Sequence, residues 1–95
     1  MAVKSSGKKG SWKHSRRIAW RKVADEAIIL DVQTAVYYSL TGVGLKVWEL
    51  IGKGKSAAQI AGILAGEYDA RESVIAADCA ELIAKLGKKK LIERA

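Results

Sequence analysis

The side chains able to do chemistry are few, and they do not assemble into a set. The 95-residue chain has one histidine, His14, and one cysteine, Cys79. A single imidazole and a single thiol make no His/Cys metal-ligand pattern. Cys79 falls on the apolar side of a helical pattern, the setting of a buried inert thiol rather than of a nucleophile with a base beside it. Gly42-Val43-Gly44 opens a helical pattern, but its spacing matches neither the Walker loop nor the dinucleotide fingerprint. Asp25-Glu26 is a carboxylate pair within a turn, where adjacent acids are solvated more often than catalytic. Asp78 differs, because it stands mid-helix among apolar residues, one turn from Val74 and from Leu82. Two readings of it stay open. It is a boundary carboxylate hydrogen-bonded to a sheet or to an N-terminal arginine, or it is a polar anchor at a binding groove. This inventory predicts no enzyme, no metal and no cofactor.

Composition narrows the partners. No run approaches the ~20 apolar residues that span a bilayer, so no membrane partner is expected. The N-terminus is charged and has no apolar core of a secretory signal. Together with a lone cysteine, this gives the expectation of a cytoplasmic protein. Residues 1–22 carry eight Lys/Arg and no acid, whereas the remainder carries nine Lys/Arg against ten Asp/Glu. The basicity therefore belongs to a tail and a first strand. Such a tail attracts nucleic acid, acidic membrane or acidic protein, or serves as a solvated arm.

The elements that must position any site follow in order. Residues 1–16 are predicted to be a disordered basic tail, with Trp12 as its only large apolar residue. Ile18–Val23 alternates weakly and fits an edge strand blunted by charge, and Ala24-Asp25-Glu26 supplies a polar turn. Ala27–Val32 is rich in β-formers, with Ile28, Leu30 and Val32 on one face. Gln33-Thr34 is the predicted two-residue hairpin loop. Ala35–Leu40 returns with Val36, Tyr38 and Leu40 on one face and Ala35, Tyr37 and Ser39 on the other. Thr41 is placed to N-cap a helix through about Ile51, with Val43, Val47, Trp48 and Ile51 at helical spacing. Ser56 and Gln59 form a capping box before the stripe Ile60, Ile63 and Leu64. Asp69 and Glu72 repeat that spacing before a third helix carrying Val74, Ile75, Asp78, Cys79, Leu82, Ile83 and Leu86. Gly87 ends it, ahead of a lysine run and a short apolar Leu91-Ile92. The fold class is α+β: a three-stranded antiparallel sheet followed by three helices, winged helix-turn-helix-like.

Two binding functions compete. A helix-turn-helix regulator would lay the start of the third helix in the DNA major groove. That start reads Asp69-Ala70-Arg71-Glu72-Ser73 and continues to Asp78 and Glu81, which meets phosphate with acid and disfavours nucleic acid as a partner. Peptide capture is the other. Ala35–Leu40 has neither charge nor proline to blunt it, and an unprotected edge offers main-chain hydrogen bonds to an extended peptide. A central place for that strand, or its pairing in a homodimer, are the alternatives.

The run Ala27–Ile51, with DVQTAVYYSL followed by TGVGLKVWELI, resembles the PqqD-like family, the recognition elements of ribosomally made precursor peptides. Ser56-Ala57-Ala58-Gln59-Ile60, Leu64 to Glu67-Tyr68-Asp69, Asp78 with Leu82, and Gly87 to Leu91-Ile92 extend the match across about residues 17–93. Thr41-Gly42 stands where an Asn-Pro-like pair is common, and the basic N-terminal extension is peculiar to this chain. The resemblance implies a peptide-recognition domain over residues 17–95. It implies a non-catalytic chaperone that binds the leader of a precursor peptide by strand addition. It further implies presentation to a maturation enzyme, a radical SAM protein or a leader peptidase, in a quinone-cofactor (PQQ) or lasso-peptide pathway. Carried over by position, the peptide-binding edge is Ala35, Val36, Tyr37, Tyr38, Ser39 and Leu40. The groove wall is drawn from Val74, Ile75, Asp78, Cys79, Leu82 and Lys85.

Overall fold

The computed structural model describes residues 11–69 and 71–95. The rest of the basic tail, residues 1–10, lies outside the described residues. Eight elements follow in order: β1 Trp12–His14, β2 Ile18–Val23, β3 Glu26–Asp31, β4 Val36–Thr41, α1 Gly42–Gly52, α2 Ala57–Glu67, α3 Glu72–Lys88 and β5 Ile92–Arg94. The main sheet is the expected antiparallel meander β2-β3-β4, and a second, two-stranded sheet pairs β1 with β5. The expected α+β architecture of three strands followed by three helices is therefore present, with one addition. Trp12–His14 is a strand inside the segment predicted to be tail, in register with Arg94, Glu93 and Ile92. Trp12 packs over Gly87 and carries the Arg94 guanidinium 4.9 Å from its ring centroid.

The hairpin between β3 and β4 differs from expectation in length and in cause. Asp31 pairs with Val36, so the loop is the four residues Val32–Ala35 rather than Gln33-Thr34 alone. Asp31 builds that loop. Its Oδ1 accepts the backbone N–H groups of Gln33 (2.9 Å) and Thr34 (3.3 Å), and its carbonyl accepts that of Ala35 (2.8 Å). Ala35 sits in the left-handed region at φ 62, which takes it out of the strand. The carboxylate also receives a fork from Arg17, with Nη2 2.7 Å from Oδ2 and Nε 3.2 Å from each oxygen. Asp31 is 1% exposed, and a buried carboxylate is tolerated when its lone pairs are filled in this way. These donors hold its carboxyl down at about 2.

The register decides which face of the sheet meets the helices. Trp20 lies opposite Ile29, and Ile29 opposite Tyr38. Ala27 and Ile29 are fully buried, whereas Ile28 and Leu30 are half-buried and Val32 is exposed in the loop. The core face of β3 is thus the one opposite the Ile28/Leu30 side, because side chains alternate and the Ala27/Ile29/Asp31 set points at the helices. The helices close over it with Leu45, Val47, Trp48 and Ile51 from α1, Ile60, Ala61 and Leu64 from α2, and Ile75, Cys79, Ile83 and Leu86 from α3. Val43 and Ile63, placed in the stripes by spacing, are exposed instead. Each side chain that is fully buried contributes about 1.5–3 kcal/mol.

Local chemistry sets the helix boundaries. Thr41 occupies the N-cap of α1 without a side-chain bond. The chain passes from β4 into α1 with no intervening loop through Gly42 at φ +55, a conformation that favours glycine. The Ser56/Gln59 capping box is present at α2 in both directions. At α3 the N-cap is Arg71, not Asp69, and no side chain caps it. His14 from β1 stacks on Trp48 (ring centroids 3.8 Å apart) and donates Nε2–H to the Trp48 carbonyl at 2.8 Å. A Cβ on Gly52 would come 2.7 Å from His14 Cε1, so that contact requires glycine there.

Two outcomes test this architecture. Asp31→Asn keeps the side chain's shape but loses the charge that holds Arg17, and it lowers Tm by roughly 10 °C at neutral pH. The native carboxyl lies below its unfolded value of 3.8, so its stabilisation is present above that pH and fades as the pH falls toward about 2. The Tm difference between wild type and Asp31→Asn therefore closes over that window, and a constant difference would count against the ion pair. Separately, burial and then the Asp78 charge push the Cys79 thiol up, and the side chain is buried. Its reaction with a thiol reagent in the native protein is expected to be at least roughly 100-fold slower than in urea. Equal rates would place Cys79 outside the core.

Candidate functional site

β4 is an edge. It pairs with β3 on one side, and among the described residues no strand pairs with its other side. The strand is uncharged, so the free main-chain groups of Val36–Thr41 are unguarded. Among the described residues the strand order puts β4 at the side of the sheet rather than at its centre.

Beside that edge lies a groove of about 240 Å³, lined by Tyr38, Ser39 and Leu40 from β4, by Leu82, Lys85 and Leu86 from α3, and by Lys89 and Leu91 beyond it. Alternation along β4 sends Tyr38 and Leu40 toward the helices, where both are half-buried. Helical spacing brings Leu82 and Leu86 to one side of α3, and Leu86 and Leu91 are buried beneath. α1 supplies the close approach: a Cβ on Gly44 would lie 3.4 Å from Leu40 Cδ2 and 3.9 Å from Leu82 Cδ2. At the other end the Lys89 ammonium sits 5.5 Å from the centroid of the Tyr38 ring. The cleft is apolar inside with cations at its rim, and no group in it is arranged as a nucleophile with a base. It can hold a side chain while the adjacent edge holds a backbone.

The twelve residues proposed from sequence separate into three groups. Tyr38, Ser39 and Leu40 from the proposed edge, and Leu82 and Lys85 from the proposed wall, line the groove. Ile75 and Cys79 are buried in the core and do not reach it. They lie one turn apart on the inward side of α3, where the apolar pattern required by the core looks the same as that of a groove wall. Ala35 belongs to the hairpin loop. Val36 begins the edge and is largely exposed, Tyr37 is 68% exposed on the opposite face of the sheet, and Val74 is 51% exposed near the start of α3. Asp78 is exposed on α3 and is not among the residues that line the groove. Leu86, Lys89 and Leu91 line the groove and were not among the candidates. Leu86 was legible as an apolar residue one turn beyond Leu82. Lys89 stood only as part of a lysine run and Leu91 only as part of a short apolar stretch, both beyond the glycine expected to end the helix.

Solved structures share this fold. One of the solved structures, TbiB1 in complex with the TbiA(beta) leader peptide, is 28% identical, superposes with a TM-score of 0.82, and is covered over 94% of its chain by 85% of this one. A second, a lasso peptide synthetase B1 complexed with the leader peptide, has a TM-score of 0.81 at 19% identity, with 87% of this chain on 98% of that one, and shows the same fold. No curated protein matches the sequence. The family model described as coenzyme PQQ synthesis protein D (PqqD) matches residues 26–92, from the start of β3 to the start of β5. On that match, which takes in both the edge strand and the groove helix, the chain belongs to the PqqD family.

Proposed function

We propose that this protein captures the leader segment of a ribosomally made precursor peptide on β4 and presents the attached core to a modifying enzyme. The observation that carries the reading is the unpaired, uncharged β4 edge running beside the Tyr38–Leu40–Leu82 groove. The free edge supplies main-chain hydrogen bonds in register, and the groove takes a side chain from the added strand. TbiB1, the relative at 28% identity, was solved with a leader peptide bound. The domain acts by binding and carries no catalytic step. A radical SAM protein or a leader peptidase is the enzyme class it serves.

Such an adaptor works by effective concentration. A leader held at the edge keeps the core within reach of the enzyme, so recognition is separated from the reacting residues. A dissociation constant between about 10⁻⁹ and 10⁻⁶ M suits a peptide that is held during modification and then released. The alternative of a DNA-binding regulator finds no support in the geometry. The first half of α3 exposes Glu72, Asp78 and Glu81, and a phosphate backbone would meet that surface with repulsion.

Fluorescence anisotropy with the TbiA(beta) leader peptide, the one bound in the 28% identical TbiB1, tests the reading. Leu82→Glu puts a charge into the groove and is expected to weaken binding about tenfold or more, with circular dichroism confirming the fold. Val23→Lys, on the opposite edge strand, is expected to leave binding within about twofold. A folded Leu82→Glu variant that binds normally, or equal damage from Val23→Lys, would place the peptide elsewhere.

A further inference from the structure

The groove carries its cations at one end. Leu82 reaches Leu40 across Gly44, whereas Lys89 lies over Tyr38. α3 therefore passes β4 in the opposite direction, with its last turn beside Tyr38 and its earlier turns beside Leu40. That last turn holds Lys85 and Lys88, with Lys89 at the C-cap, all exposed, and Lys85 and Lys89 line the groove itself. Glu81 and Asp78 stand one and two turns earlier, toward the Leu40 end. The ion pairs among the described residues join Arg16 to Glu93, Arg17 to Asp31, Lys22 to Glu49 and Lys46 to Glu67, and none involves these three lysines. A cation in the last turn complements the helix dipole, but that does not require two lysines on the groove side.

Resting on the leader-capture reading, we infer that the groove selects an extended peptide with Asp or Glu against Lys85, Lys88 and Lys89 and an apolar side chain in the adjoining Tyr38–Leu40–Leu82 pocket. Charge complementarity sets the register of the added strand, which uniform main-chain hydrogen bonds alone leave free to slip. The acid takes Lys89 from the Tyr38 ring as an ion-pair partner, so a cation–π contact is exchanged for a salt bridge. The chain's own N-terminus is the wrong occupant, since residues 1–10 carry Lys4, Lys8 and Lys9 and no acid.

The experiment uses the full chain and three versions of the TbiA(beta) leader peptide, with apolar residues kept and all charged residues set to Glu, to Gln or to Lys. Binding is read by anisotropy, and the site by the amide NMR shifts of residues 36–41. The Glu version is expected to bind about five- to tenfold tighter than the Gln version and the Lys version weakest, since rim ion pairs are individually small. Salt near 1 M, where the Debye length is only ~3 Å, is expected to flatten the series. The double variant Lys85→Glu/Lys89→Glu is expected to reverse the order. If all three peptides move the β4 amides with equal affinity, or if the order survives the double variant, the charge selection is overturned while leader capture stands. If none of them, nor the unaltered TbiA(beta) leader, moves those amides, leader capture falls and the selection with it.

Discussion

The Asp31 carboxylate is the point on which the rest of the structure depends. It closes the β3–β4 loop through two backbone N–H groups and ties that loop to Arg17 at the start of the sheet. Those bonds fix where β3 ends and β4 begins, and so fix the pairing register. In a sheet a slip of one residue turns every side chain to the other face. A slip here would send Tyr38 and Leu40 to solvent and Tyr37 and Ser39 to the helices, and the groove would lose one wall. The free edge of β4 is useful only because its side chains are held in this phase.

The second wall is held from the two ends of the described chain. β1 and β5 pair beside α3, with the Ser15 N–H donating to the Leu91 carbonyl at 3.0 Å. Trp12 covers Gly87 and His14 packs between Trp20 and Trp48. Leu91 is thereby buried, and the Leu86–Leu91 floor of the groove continues past the end of the helix. Burial lowers the His14 pKa below 6.5, so the neutral ring is the form this packing favours. The contribution of this contact is present above that pH and falls away as the pH drops through the folded value.

Much of this was legible from residue spacing, and the failures have identifiable causes. The helices and the order of the strands followed from apolar periodicity and from the Ser56/Gln59 pair. The inward face of β3 did not, because Ala27-Ile28-Ile29-Leu30 is apolar on both sides and only the packing partners choose between them. The hairpin loop was misjudged because Asp31 reads as the polar end of a strand, while its role as a turn-builder depends on Arg17 arriving from fourteen residues away. β1 and β5 are three residues each and pair across nearly the whole described chain, so no local pattern announces them. On α3, core and groove demand the same aliphatic residues. Spacing alone therefore put Ile75 and Cys79 beside Leu82, and only the position of Gly44 and Leu40 singles out Leu82 as the one that reaches the groove.

These parts make one device: a strand held in phase by a buried acid, bordered by a cleft whose floor, Leu86 and Leu91, is braced by the pairing of β1 with β5. Its central claim is that an extended peptide adds to β4 as a further strand. Amide hydrogen exchange of residues 36–41, with and without the TbiA(beta) leader peptide, tests that claim most directly. Strand addition predicts that alternate amides of β4, those not already bonded to β3, gain protection on binding while the others change little. A leader that binds with no new protection in β4 would contradict the account.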